Sequence, residues 1–142
     1  MQNYSNHARF VTGYHRILIP VLGLTLIGAC VNLYESLGDH QRLYSASLIL
    51  ATLAAMLIMF FFVRIFPLKA QDRAIRAEEN LRHFALTGKL LDPTLSIQQI
   101  VALRFASDAE FVNLAQKAAR EDLTPDAIKR AVQQWRPDTY RA

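Results

Sequence analysis

Glu78, Glu79 and His83, in "EENLRH", bring three metal-ligand side chains within six positions. On a helix Glu79 and His83 stand on one face at i,i+4, so one turn can offer two or three ligands. The same spacing makes an ion pair, and Asp72 with Arg76 and Glu78 with Arg82 repeat it. Ion pairing accounts for the whole series, so no metal is expected. His7 and His15 lie before the first apolar run, where haem or quinone ligation would leave the cofactor outside it. "TGK", Thr87 to Lys89, lacks both the upstream glycine and the following hydroxyl residue of a phosphate-binding loop. No serine stands in a glycine elbow, and the single cysteine, Cys30, has no second thiol in the chain to pair with. The expectation is no catalytic site, no cofactor and no enzymatic activity.

Charge offers one further candidate. The 142 residues carry 16 Lys and Arg against 12 Asp and Glu. From Arg64 onward the balance is thirteen to ten and the signs are intermixed, so nucleic acid is not expected as a partner. "KRAVQQWRPDTYR", Lys129 to Arg141, is the most basic and aromatic stretch of the tail. Lys129, Arg130, Arg136 and Arg141 are candidate contacts for anionic lipid headgroups, with RNA as the alternative. Trp135 is assigned to the core.

The elements that must position these groups follow from where charge is absent. No charged residue occurs from Ile17 to Tyr34 or from Leu43 to Val63. About 20 helical residues cross a bilayer, so the two runs predict spans over 17–37 and 43–66. The connector, about Glu35 to Arg42, is a tight turn. The result is a transmembrane hairpin, 17–66, with residues 1–16 before it and 67–142 after it. Arg9 and Arg16 precede the first span, and Arg64, Lys69, Arg73 and Arg76 follow the second. The connector has only Arg42 against Glu35 and Asp39, which predicts both termini in the cytoplasm. "IGAC", Ile27 to Cys30, is a competing lipoprotein cleavage box, but glycine two residues before the cysteine is atypical, and an uncleaved span is expected.

Helices in lipid associate through small residues and hydrogen bonds. Thr25, Gly28, Ala29 and Asn32 of the first span and Ser47, Ala51 and Ala55 of the second are the expected contact faces, with Asn32 seeking a partner. The same polar positions would line the pore of an oligomeric channel. Phe60, Phe61 and Phe62 are expected to face lipid or the interface.

Beyond the second span, Pro67 predicts a kink or a new start. A long juxtamembrane helix follows to Thr87, stopped by Gly88. Along it Ala70, Ala74, Ala77, Leu81 and Phe84 alternate spacings of four and three, a coiled-coil seam for protein contact. Three short helices complete the chain. Ser96 with Gln99 opens the first, to about Phe105, and Ser107 with Glu110 the second, to about Glu121. Thr124 before Pro125 opens the last, to Trp135. Their apolar stripes are Ile97, Ile100 and Val101; Phe111, Leu114, Ala115 and Ala118; and Ile128, Val132 and Trp135. The fold class is thus an all-α membrane protein.

The strings "LKAQDRAIRAEENLRHFALTGK", "IVALRFASDAEF" and "LTPDAIKRAVQQWRPD", with the opening "NHARF" and the two spans, resemble an uncharacterised bacterial family of small two-span membrane proteins, a domain of unknown function. The resemblance implies a bacterial inner membrane and a cytoplasmic helical tail, and brings no activity or cofactor with it. The expected function is that of a scaffold or accessory subunit, in a homo-oligomer or a membrane complex. A small homo-oligomeric ion channel and a membrane-anchored binder of nucleic acid or anionic lipid are the alternatives.

Overall fold

The computed structural model describes residues 3–5 and 11–138, and among these all regular structure is helical. A π-helical segment, Gly13–Leu18, leads into α1, Ile19–Glu35. Then come α2, His40–Thr87; α3, Ile97–Leu103; α4, Asp108–Glu121; and α5, Pro125–Ala131. The chain forms two compact units, Arg9–Ile65 and Met1–Ala8 with Phe66–Ala142.

In the first unit α1 and the first part of α2 form a helical hairpin. The continuous helix Gly13–Glu35, made of the π-helical segment and α1, and the helix α2 are each long and apolar enough to cross a membrane. The turn between them is tight because Ser36, the C-cap of α1, donates its hydroxyl to the Asn32 carbonyl at 2.7 Å. Gly38 then supplies a positive φ of 104°, and the Asp39 carboxylate accepts from the Gln41 N–H at the start of α2. At the other end Tyr14 stacks on Phe60 with ring centroids 4.4 Å apart, and its hydroxyl donates to the Phe60 carbonyl. Phe60 is therefore half-buried, unlike the exposed Phe61 and Phe62 beside it.

α2 continues through Pro67 as one helix of 48 residues, with no restart at the expected junction. Proline removes the single bond to Val63 and costs about 3 kcal/mol within a helix. A break would instead leave up to four carbonyls and four N–H groups without helical partners. Gly88, at φ 72°, ends α2 and donates its N–H to the Phe84 carbonyl.

In the second unit α3, α4 and α5 enclose a core of Ile100, Leu103, Phe111, Leu114, Ala115, Ala118 and Ile128, closed over by Leu91 and Leu95 from the α2–α3 loop. The Ser96 capping box is complete: its hydroxyl accepts the Gln99 N–H, and Gln99 Oε1 accepts the Ser96 N–H at 2.7 Å. The Gln99 amide nitrogen then donates to Asp122 Oδ1 and the Leu123 carbonyl at the end of α4. One buried side chain thus starts α3 and holds the α4–α5 turn, where Asp122 is left-handed at φ 47°.

α5 ends at Ala131, four residues short of the expected Trp135. Glu110 is the cause. Its carboxylate accepts the backbone N–H groups of Ser107, Gln133 and Gln134, at 3.0 to 3.3 Å. Ser107 N–H donates to the Gln134 carbonyl and Arg136 N–H to the Phe105 carbonyl, so the chain after Val132 is drawn out beside Ala106 as an isolated antiparallel bridge. Trp135 still packs against the core, 4.9 Å from the Phe105 ring.

Candidate functional site

The part of α2 beyond Pro67 has two opposite faces. At about 100° per residue, Ile75, Glu79 and His83 fall on one side, and Ala70, Ala74, Ala77, Leu81 and Phe84 on the other. The first three are buried and the second five are exposed, Leu81 by 68% and Phe84 by 51%.

Arg82 fastens the buried side. Its guanidinium donates to Glu79 Oε2 at 3.0 Å, to Asp108 Oδ1 at 2.6 Å, and to the Ala106 carbonyl at 2.8 Å. It also lies 4.3 Å from the Phe111 ring centroid, a cation–π contact. Arg136 reaches the other Glu79 oxygen at 3.7 Å. The Glu79 side chain is only 5% exposed, so its charge is tolerable because two guanidinium groups meet it. Glu78, Glu79, Arg82, Asp108 and Arg136 line a cleft of about 330 Å³. Each acid with a resolved contact there faces arginine, which makes the cleft an ionic joint between α2 and α4.

This arrangement corrects two expected pairs. Arg82 turns to Glu79 instead of Glu78, because Glu79 lies on the face that meets α4. His83 turns away from Glu79: its Nδ1 sits 2.7 Å from the Lys89 carbonyl, and since a carbonyl only accepts, Nδ1 carries the proton. Asn80 adds a further tie, accepting the Leu91 N–H at 3.2 Å. Sequence reasoning missed Arg82, Asp108 and Arg136 as a group, since their partners are 24 to 57 residues apart and no spacing rule connects them.

In the hairpin, Thr25, Gly28, Ala29 and Asn32 of α1 line a groove of about 580 Å³ with Leu48, Ile49, Thr52 and Leu53 of α2. Ala29 is buried. Ser47, Ala51 and Ala55 are exposed, and α2 turns Leu43, Ala46, Leu50, Leu53 and Phe60 inward instead. A strict spacing of four drifts about 40° around the helix at each step, whereas a left-handed helix pair follows alternating threes and fours.

The basic stretch at the C-terminal end is largely occupied by its own chain. Arg130 pairs with Asp126 at 2.8 Å and lies over the Tyr4 ring, while Arg136 engages Glu79. Lys129 is half-buried, and Arg141 lies outside the described residues, as do His7 and Arg9. The Tyr4 hydroxyl donates to Asp126 at 2.6 Å, and this bond holds the carboxyl below the 3.8 of a free aspartate, with help from the Arg130 charge.

A model of the family described as "family of unknown function (DUF6526)" matches residues 1–142, and the chain belongs to that family. No curated protein and no solved structure matches the chain.

Proposed function

We propose that this DUF6526 protein is a non-enzymatic membrane scaffold or accessory subunit whose hairpin anchors a helical unit that assembles through the exposed seam of α2. The observation that carries this reading is the division of α2 beyond Pro67. One face is committed to the chain's own α4 through Glu79 and Arg82, and the other presents Ala70, Ala74, Ala77, Leu81 and Phe84 with nothing of the described chain covering Leu81 or Phe84. Exposed apolar side chains in a continuous heptad stripe are the signature of a helix awaiting another helix.

The hairpin's outward Leu, Ile, Val and Phe side chains support insertion in lipid. The excess of Lys and Arg beside both span ends supports a bacterial inner-membrane orientation with both termini cytoplasmic. The Tyr4–Asp126 bond agrees with that orientation, because it joins residues from before the first span and after the second. The test is Ala77→Glu in the full chain, with native mass spectrometry in detergent. Loss of the oligomer is expected, and an unchanged mass distribution would count against the seam.

The groove holding Thr25, Asn32 and Thr52 favours a second reading, a homo-oligomeric channel. Ion flux in liposomes that changes on Asn32→Leu would favour it over the scaffold.

A further inference from the structure

The seam has flanks, and their charges select a partner and a register. In heptad terms Ala70, Ala77 and Phe84 occupy d, and Ala74 and Leu81 occupy a. The e positions are then Gln71, Glu78 and Ala85, and the g positions Arg73, Asn80 and Thr87. In a parallel pair of helices each g residue faces the e residue five positions further along the other helix. Arg73 therefore faces Glu78, and two-fold symmetry makes that contact twice. Asn80 faces Ala85, so no like charges meet in this register. Arg73 and Glu78 are both exposed.

From this complementarity we propose that the occupant of the seam is a second copy of this chain, parallel and in register, with Arg73 of each copy paired to Glu78 of the other. The proposal rests on the scaffold reading above and extends it to the identity and orientation of the partner. Parallel packing is the arrangement open to two copies inserted in the same membrane in the same sense. Alanine at three of the five seam positions brings the helices close beside the span, and Leu81 and Phe84 fill the wider end. On the far side of α2, Glu79 and Arg82 remain bound to α4, so dimerisation needs no rearrangement of the ionic joint.

The experiment uses the full chain in detergent micelles and nanodiscs and reads the monomer–dimer equilibrium by native mass spectrometry and analytical ultracentrifugation. Arg73→Glu alone and Glu78→Arg alone each set like charges opposite one another twice and should weaken the dimer roughly tenfold at low salt. The combined variant R73E/E78R restores opposite charges and should recover the wild-type constant. As an independent reading, Ala77→Cys in a Cys30→Ala background should form a 77–77 disulfide under mild oxidation, since in-register packing sets that d position against its twin. Failure of the double variant to recover, or absence of the 77–77 disulfide, while Ala77→Glu still disperses the oligomer, would overturn the register and leave the scaffold reading standing. A wild-type chain that stays monomeric at every concentration, or that pairs only with a different protein, would overturn the choice of a second copy.

Discussion

The hairpin and the tail solve opposite problems with the same side chains. Of the most apolar windows in the two long helices, 11% and 6% is buried within the chain, and Leu24, Ile27, Ile58 and Phe61 point outward. Beyond α2, Phe105, Phe111, Leu103 and Ile128 are almost completely enclosed. The hairpin has little hydrophobic interior of its own, and its helices satisfy their backbone groups internally. The tail is held together by burial against water, and its polar groups are spent on joints such as Gln99, Glu110 and Arg82. Apolar content alone therefore says little about a region's environment; the direction in which the side chains face says much more.

Four substitutions probe that contrast. Phe111→Ala should cost about 3–5 kcal/mol, since the ring is fully enclosed and also supports Arg82 and His83. Thermal unfolding of the full chain in detergent, followed by near-ultraviolet circular dichroism and proteolysis of the tail, measures it; a change under 1 kcal/mol would contradict the core described above. Leu24→Lys touches an exposed side chain and would be neutral in water, but at mid-span it should cost about 3–4 kcal/mol. A glycosylation-mapping assay of first-span insertion reads that cost directly, and unimpaired insertion would argue that the hairpin is not lipid-embedded.

Thr124→Ala removes the hydroxyl that accepts the Ala127 N–H at 3.2 Å, and should lower tail stability by about 1 kcal/mol in the same melt. The smallest effect is expected from Tyr4→Phe. Asp126 is held below its ordinary value mainly by the Tyr4 hydroxyl, so its contribution is complete above the unfolded value and fades as pH falls through the lower folded value. Removing the hydroxyl should move the Asp126 carboxyl upward in a carbon-13 NMR titration. An unmoved midpoint would mean that Tyr4 does not hold it.

The local signals were the most legible. Ser96, Thr124 and Gly88 start and stop helices through bonds to residues within four positions, so their types and spacings are enough to place them. The apolar runs likewise revealed two helices of membrane-crossing length. What escaped notice depends on distant partners. Glu110 shortens α5 through amides 23 and 24 residues away, and Arg82 leaves a neighbour at i−4 for Glu79 and Asp108. Pro67 predicted a kink or a new start because its own chemistry is unfavourable; there is no new start, and the turns on both sides carry the helix across it. At the seam, spacing alone proposed a contact face, and the structure adds that Leu81 and Phe84 are exposed while the opposite face is engaged.

The extended strip after Val132 is fastened in an unusual way. The Gln133 and Gln134 amides share one carboxylate, and the Arg136 amide is anchored to Phe105 on the same stretch of chain. In a helix each amide can fray in turn, but here a single rotation of Glu110 frees two at once and loosens the bridge beside them. Hydrogen exchange at these positions should therefore be correlated, the strip opening and closing as one small cooperative piece while α3 and α4 stay protected.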